Sequence, residues 1–216
     1  MQMLEHLPFE KMRERPIPFL GSSDASSILC ALAAKSSAVS FHGPMVAQQL
    51  ARGFFDSDGM CALLCDSGPL GFQDAPSVTP LHPGAAEGHL LGGCLSIVTA
   101  LCGTEFLPSF SGAILFLEDT GTKPYQIDRM LTQLQLSGAL DGVRGLVFGE
   151  MPKCDQHPEQ GYRLEDMLRD WTAWMKVPVL FGFPSGHTLS PARTLPFGIR
   201  ARVDKEGLHL LEGAVL

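Results

Sequence analysis

No apolar run in the 216-residue sequence approaches the length needed to cross a bilayer. The longest, such as Ala113 to Leu117, fall far short of the ~20 residues a transmembrane helix requires. Basic clusters are also missing, and the formal net charge is -7, so neither a nucleic-acid partner nor a membrane partner is expected. The opening stretch, MQMLEHLPFEKMRERPIPFL, carries charges throughout and has no apolar h-region. A secretory leader is therefore not expected. No paired CxxC knuckle occurs among Cys30, Cys61, Cys65, Cys94, Cys102 and Cys154. Most of these lie in apolar stretches, which predicts buried free thiols in a reducing compartment. A zinc site from Cys61, Cys65, Cys154 and His157 would have loose Cys-x-x-x-Cys spacing and no second knuckle, so no metal is expected.

What is present is an ordinary core-forming composition, 45% hydrophobic and 18% charged, long enough for one large domain or two small ones. Ile17 to Leu20 is a short apolar run broken by Gly21, and a helix follows over about Ala25 to Lys35 with Ile28, Leu29 and Leu32 on one face. Ala38 to Phe41 reads as a short buried strand closed by His42-Gly43-Pro44, and Met45 to Phe54 as a helix. Residues 66–90 are rich in Gly, Pro, Ser and Asp and read as a linker with room for one short strand. Beyond it, the spacing predicts a helix marked by Leu95, Val98 and Leu101 and a strand over Ala113 to Leu117. A helix from Pro124 to Gly138, a strand over Val143 to Phe148, a helix marked by Leu164, Leu168 and Trp171, and a strand over Val177 to Phe181 follow. Ile199 to Val203 and Leu208 to Leu211 form a terminal hairpin. Strands alternating with helices predict an α/β fold with a mostly parallel sheet.

Three places can carry chemistry. Gly21-Ser22-Ser23-Asp24-Ala25 stands between a strand and a helix. A nucleophilic serine needs a sharp turn with small neighbours, here Gly21 and Ala25, and the following helix start offers N–H donors to an oxyanion. The alternative is a plain helix cap, and Ser22 competes for the hydroxyl role. Glu118-Asp119 follows the buried strand, where open α/β sheets place their ligands; the alternative is a polar strand exit. His187 lies in the loop Phe183-Pro184-Ser185-Gly186-His187-Thr188 after another strand, positioned for a general base or simply bonded to backbone. Together they supply a hydroxyl, a carboxylate and an imidazole, the inventory for activating a serine without cofactor or metal.

The run FLGSSDASSILCAL followed by FHGPM resembles the nucleophile region of the LD-carboxypeptidase family, which includes the microcin C immunity peptidases. GGCLSIVTALCGTEFLP, ILFLEDTGTKPYQIDRMLTQLQLSGALDGVRGLVFGE and VLFGFPSGHT follow in the family's order, so the resemblance runs from about Pro16 to the C-terminus. It implies a Rossmann-like N-terminal domain, here truncated, and a C-terminal α/β domain with the terminal hairpin. The corresponding division is 1–66, a linker at 67–90, and 91–216. It also implies a Ser-His-Glu triad of Ser23, His187 and Glu118, with the backbone N–H of Asp24 as an oxyanion donor. The implied activity is cytoplasmic hydrolysis of the bond to the terminal D-alanine of murein tetrapeptides, in peptidoglycan recycling, by a homodimer acting on a small muropeptide.

The chain departs from the family pattern in starting just before the elbow strand, without the glycine-rich segment upstream. Ser22 replaces a usual aromatic residue, and Cys94 a usual asparagine. Two other readings of the same residues are an amide hydrolase of peptidyl-nucleotides, as in microcin immunity, and a catalytically inactive truncated paralogue. The order Ser…Glu…His also fits an α/β-hydrolase, but no HGGG-type oxyanion loop is present. For a substrate carboxylate, Arg52, Arg129 and Arg144 are chemically able, with surface or structural roles as the alternative.

Overall fold

A computed structural model describes residues 1–155, 159 and 161–215. Among these described residues the α-helices are α1 (Phe9–Glu14), α2 (Ser26–Lys35), α3 (Ser57–Cys65), α4 (Leu95–Ala100), α5 (Pro124–Leu136) and α6 (Leu164–Thr172). The strands of the same residues are β1 (Leu20–Gly21), β2 (Ser40–His42), β3 (Gly71–Phe72), β4 (Thr79–His82), β5 (Ala86–Cys94), β6 (Ala113–Glu118), β7 (Gly145–Gly149), β8 (Val179–Phe183), β9 (Leu195–Phe197), β10 (Arg200–Asp204) and β11 (Gly207–Leu210).

They form two sheets. The larger runs β3-β11-β10-β5-β6-β7-β8-β4, with β5 to β8 parallel and the outer strands antiparallel. The smaller runs β1-β2-β9. Its last strand, β9, comes from the C-terminal half of the chain and pairs antiparallel with β2.

The larger sheet divides two apolar cores. Side chains alternate along a strand, and β6 shows the consequence. Ala113, Leu115 and Leu117 enter the core covered by α4, α5 and α6, while Ile114 and Phe116 enter the core shared with Phe41, Leu195 and Phe197 of the smaller sheet. A strand buried on both faces reads as a continuous apolar run, which is why β6 is recognisable in the sequence. The same parity turns Glu118 toward the smaller sheet and Asp119 away from it. α5 is equally legible: Pro124 opens it, Gln126 Oε1 accepts the Lys123 N–H at 3.0 Å, and Ile127, Leu131 and Leu134 are its buried stripe.

The expected α/β fold and terminal hairpin are present, the latter as β10 and β11. Several local expectations are corrected. The 66–90 segment contributes β3, β4 and the start of β5, because short edge strands tolerate the glycine and proline that suggested a linker. The helix expected over Met45 to Phe54 is a π-type segment at Val46–Leu50, and α3 and β9 were not anticipated. Of the cysteines, Cys30, Cys94 and Cys154 are buried, but Cys61 and Cys65 are exposed on α3; all six are free thiols. His157 lies outside the described residues, as does any contact it makes. Among the described residues no helix is long and apolar enough to cross a membrane.

Candidate active site

The elbow at Ser23 follows β1. Ser23 has φ +57, a left-handed conformation that non-glycine residues adopt only at a cost of about 1–3 kcal/mol. Gly21 is required beside it, since a Cβ there would stand 2.7 Å from that of Ala25. Ser22 is 2% exposed and its N–H points at Met45 Sδ, 3.4 Å away, so the more accessible Ser23 is the better hydroxyl. The Asp24 N–H has no acceptor among the described residues, while the Asp24 carbonyl accepts from Ser27 Oγ at 2.8 Å.

Glu118 ends β6 and is fully buried between two histidines. Its Oε2 lies 2.8 Å from His187 Nδ1 and also accepts the His187 backbone N–H at 2.9 Å. Its Oε1 faces His42 Nε2 at 3.7 Å, too long for a hydrogen bond, and each of those two atoms is otherwise unpartnered. Burial pushes the Glu118 carboxyl upward, but the His187 and His42 rings outweigh it and hold it at about 2. The carboxylate is therefore ionised. For His187 the hydrogen bond to Glu118 dominates over its partial burial and raises it above the ordinary 6.5.

Three neighbours hold this pair. Gly186 has φ +78, and a Cβ there would stand 2.6 Å from Glu118 Cδ and 2.7 Å from His42 Cε1. Glu150, just past β7, gathers the loop after His187 by accepting from the Thr188 hydroxyl and from the Leu189 and Ser190 N–H groups. His42 ends β2, bonds Ser185 Oγ through Nδ1 at 3.1 Å and lies near-parallel to Phe197 at 5.4 Å. It was missed in the sequence, although its FHGPM run carries part of the family resemblance. The signal was a polar residue ending an apolar strand. Asp119 acts elsewhere. Its Oδ2 accepts the Ser96 N–H at 2.9 Å at the start of α4, and its Oδ1 holds the Thr120 N–H and Thr122 hydroxyl.

The three expected side chains thus fall into a contact pair and a neighbour. Glu118 and His187 are bonded. Ser23 makes no hydrogen bond to His187 among the described residues, but its turn is tied to the same sheet end. Ser26 Oγ accepts the Cys94 N–H at 2.9 Å, Cys94 pairs in register with Glu118, and the Cys94 sulfur lies within 4.8 Å of a carboxylate oxygen of Glu118 and a ring nitrogen of His187. Burial, then Glu118 and Asp119, push that thiol up to about 12, so it stays protonated. A cavity of about 530 Å³ opens beside His187.

This arrangement defines an α/β protein with a buried carboxylate–imidazole pair at the carboxyl edge of a parallel sheet. Residues 87–203 match the model of the LD-carboxypeptidase C-terminal domain and residues 1–43 that of the N-terminal domain, and the chain belongs to the LD-carboxypeptidase family. A Streptomyces coelicolor protein provisionally named a carboxypeptidase is 36% identical over 217 residues, covering 95% of this chain and 65% of that one. A Bacillus subtilis protein named a probable murein peptide carboxypeptidase is 34% identical, covering 92% and 63%. The chain therefore spans just under two thirds of the length of these relatives. Among solved structures, muramoyltetrapeptide carboxypeptidase from Oxalobacter formigenes superposes with TM-score 0.83 at 32% identity, over 96% of this chain and 72% of that one. The microcin C7 self-immunity protein MccF shares the fold, with TM-score 0.86 at 22% identity over 99% and 73%.

Proposed function

We propose that this protein is a serine peptidase that hydrolyses the L,D-bond to the terminal D-alanine of murein tetrapeptides, with Ser23 as nucleophile, His187 as base and Glu118 as its orienting carboxylate. The observation that carries this reading is the 2.8 Å bond from His187 Nδ1 to Glu118 Oε2. With Nδ1 donating to an ionised carboxylate, Nε2 is left unprotonated and able to accept a proton. His187 takes the proton of Ser23 as the hydroxyl oxygen attacks the scissile carbonyl. The tetrahedral oxyanion is held by the Asp24 N–H, and His187 then protonates the departing amine. Water, deprotonated by the same ring, releases the acyl group and restores Ser23. Nucleophile and base make contact on substrate binding, as catalytic hydrogen bonds often do.

Hydrolysis of a peptidyl-nucleotide amide is a second reading, favoured by 31% identity over 130 residues with the Escherichia coli microcin C7 self-immunity protein. The three side chains would act alike, and only the leaving group differs. The first reading also carries a cytoplasmic site of action in peptidoglycan recycling and a homodimer, which sedimentation would reveal.

The test is Ser23→Ala assayed on an L,D-tetrapeptide, with release of the terminal D-residue as readout. Turnover should fall by about three to four decades, and labelling by a serine-directed fluorophosphonate should vanish. Full activity in the variant would refute the assignment, and an unlabelled, inactive wild-type chain would favour the inactive paralogue.

A further inference from the structure

The geometry points to an anion subsite formed by Arg52 and Lys153, which takes the negatively charged group on the leaving half of the substrate; this rests on the peptidase reading above. Both cations line the cavity beside His187, together with Gln49, Phe54 and Leu189. His187 delivers its proton to the departing amine, so the leaving residue occupies the open side of that ring. Ser23 does not line this cavity, as expected of a pocket beyond the base. A terminal amino acid brings one anionic oxygen pair and a small apolar side chain, and the cavity offers both counterparts.

The other two arginines able to bind such a group are engaged elsewhere. Arg129 lies over the Tyr125 ring at 5.1 Å on α5, and Arg144 donates to the Glu87 carbonyl at 3.3 Å. Arg52 and Lys153 have no carboxylate partner among the described residues, although the chain carries a net charge of -7. The nearby acid Glu150 is already occupied by the Thr188, Leu189 and Ser190 donors. Both cations are on exposed residues, and it is the backbone carrying them that is held in place. Met151 and Lys153 both have positive φ, +49 and +63, and Pro152 between them accepts from the Gly121 N–H and the Thr120 hydroxyl, both at 3.1 Å. Such backbone persists only where its surroundings enforce it. On the other wall, Gln49 Nε2 donates to the Gly186 carbonyl at 3.2 Å and ties the Arg52 segment to the His187 loop.

The anion could be the α-carboxylate of a terminal D-residue or the phosphate of a nucleotide. The test measures binding to the Ser23→Ala chain by calorimetry, using an L,D-tetrapeptide acid, its C-terminal amide and a non-hydrolysable peptidyl-adenylate. The acid should bind about a hundredfold more tightly than the amide, about tenfold from each cation. Arg52→Gln and Lys153→Gln should each remove about tenfold of that preference, one charge-assisted contact apiece, while Arg129→Gln leaves it intact. If the adenylate binds more tightly and loses most in the two variants, the anion is phosphate. Equal binding of acid and amide, or a preference that survives the double variant, overturns the subsite. Preferential binding of the acid without hydrolysis by the Ser23 form overturns the peptidase reading alone.

Discussion

Glu118 keeps a negative charge in a site with no exposure to water, and two imidazoles make that tolerable. The consequences can be read in pH. In its proposed role as base His187 must be neutral, so the acid limb of kcat/KM should lie above 6.5, the direction in which Glu118 pushes it. Glu118→Gln should shift that limb downward as well as cut turnover, and a pH–rate profile separates the two effects. Stability follows the opposite edges. The Glu118 contribution is complete above 4.5 and is lost as pH falls toward about 2, whereas that of His187 is complete below 6.5 and is lost as pH rises through its raised value. Urea titrations at pH 3 and pH 6 should therefore show a larger gap for the wild-type chain than for Glu118→Gln. Gly186 is the other decisive residue. Gly186→Ala combines a strained φ with contacts of 2.6 and 2.7 Å to Glu118 and His42. A loss of about 1–3 kcal/mol of unfolding free energy, seen as a lower urea midpoint at unchanged slope, is expected, with turnover falling alongside.

At the scale of elements, each candidate group stands where a strand ends: Ser23 after β1, His42 on β2, Glu118 on β6, Glu150 after β7 and His187 after β8. The loop after β8 has little regular structure, so its shape depends on the acceptor that Glu150 provides. Ionisation of that carboxyl is assisted, because the Ser190 and Thr188 hydrogen bonds outweigh its partial burial and lower it. Glu150→Ala would strand several donors. It should cost about 1–3 kcal/mol and accelerate amide exchange at Leu189 and Ser190, while exchange in β6 stays slow. The long, regular elements around these loops were readable in the sequence. The unbroken apolar run of β6 and the 3.6-residue stripe of α5 are signals that local composition cannot hide. β3, β4 and β9 were not readable, since two to four residues carry no period and their pairing is made by distant strands.

For the whole molecule, the smaller sheet welds the two halves of the chain. β9 pairs with β2 across about 155 residues of intervening sequence, and Phe197 packs against both His42 and Phe116. Unfolding should accordingly be one cooperative transition, with fluorescence and circular dichroism coincident. Phe197→Ala should lower its free energy by about 3–5 kcal/mol and, by freeing His42, reduce activity at temperatures where the chain is still folded. Two separate transitions would show that the halves fold independently.

The sequence by itself determined the α/β class, the strand ending in Glu118, the small residues flanking Ser23 and the place of His187 in the loop after a strand. These are local: a period of two or 3.6, a glycine beside a serine, a histidine after a strand. Only the tertiary structure decided which groups meet. It put His42 opposite His187 on one carboxylate, separated Asp119 from Glu118, gave Glu150 to the loop, and set Arg52 on the cavity beside His187 while Arg129 and Arg144 lie against Tyr125 and the Glu87 carbonyl. The reason is physical. Side-chain parity along β6 depends on which face the smaller sheet covers, and that face is set by pairing between strands far apart in the chain.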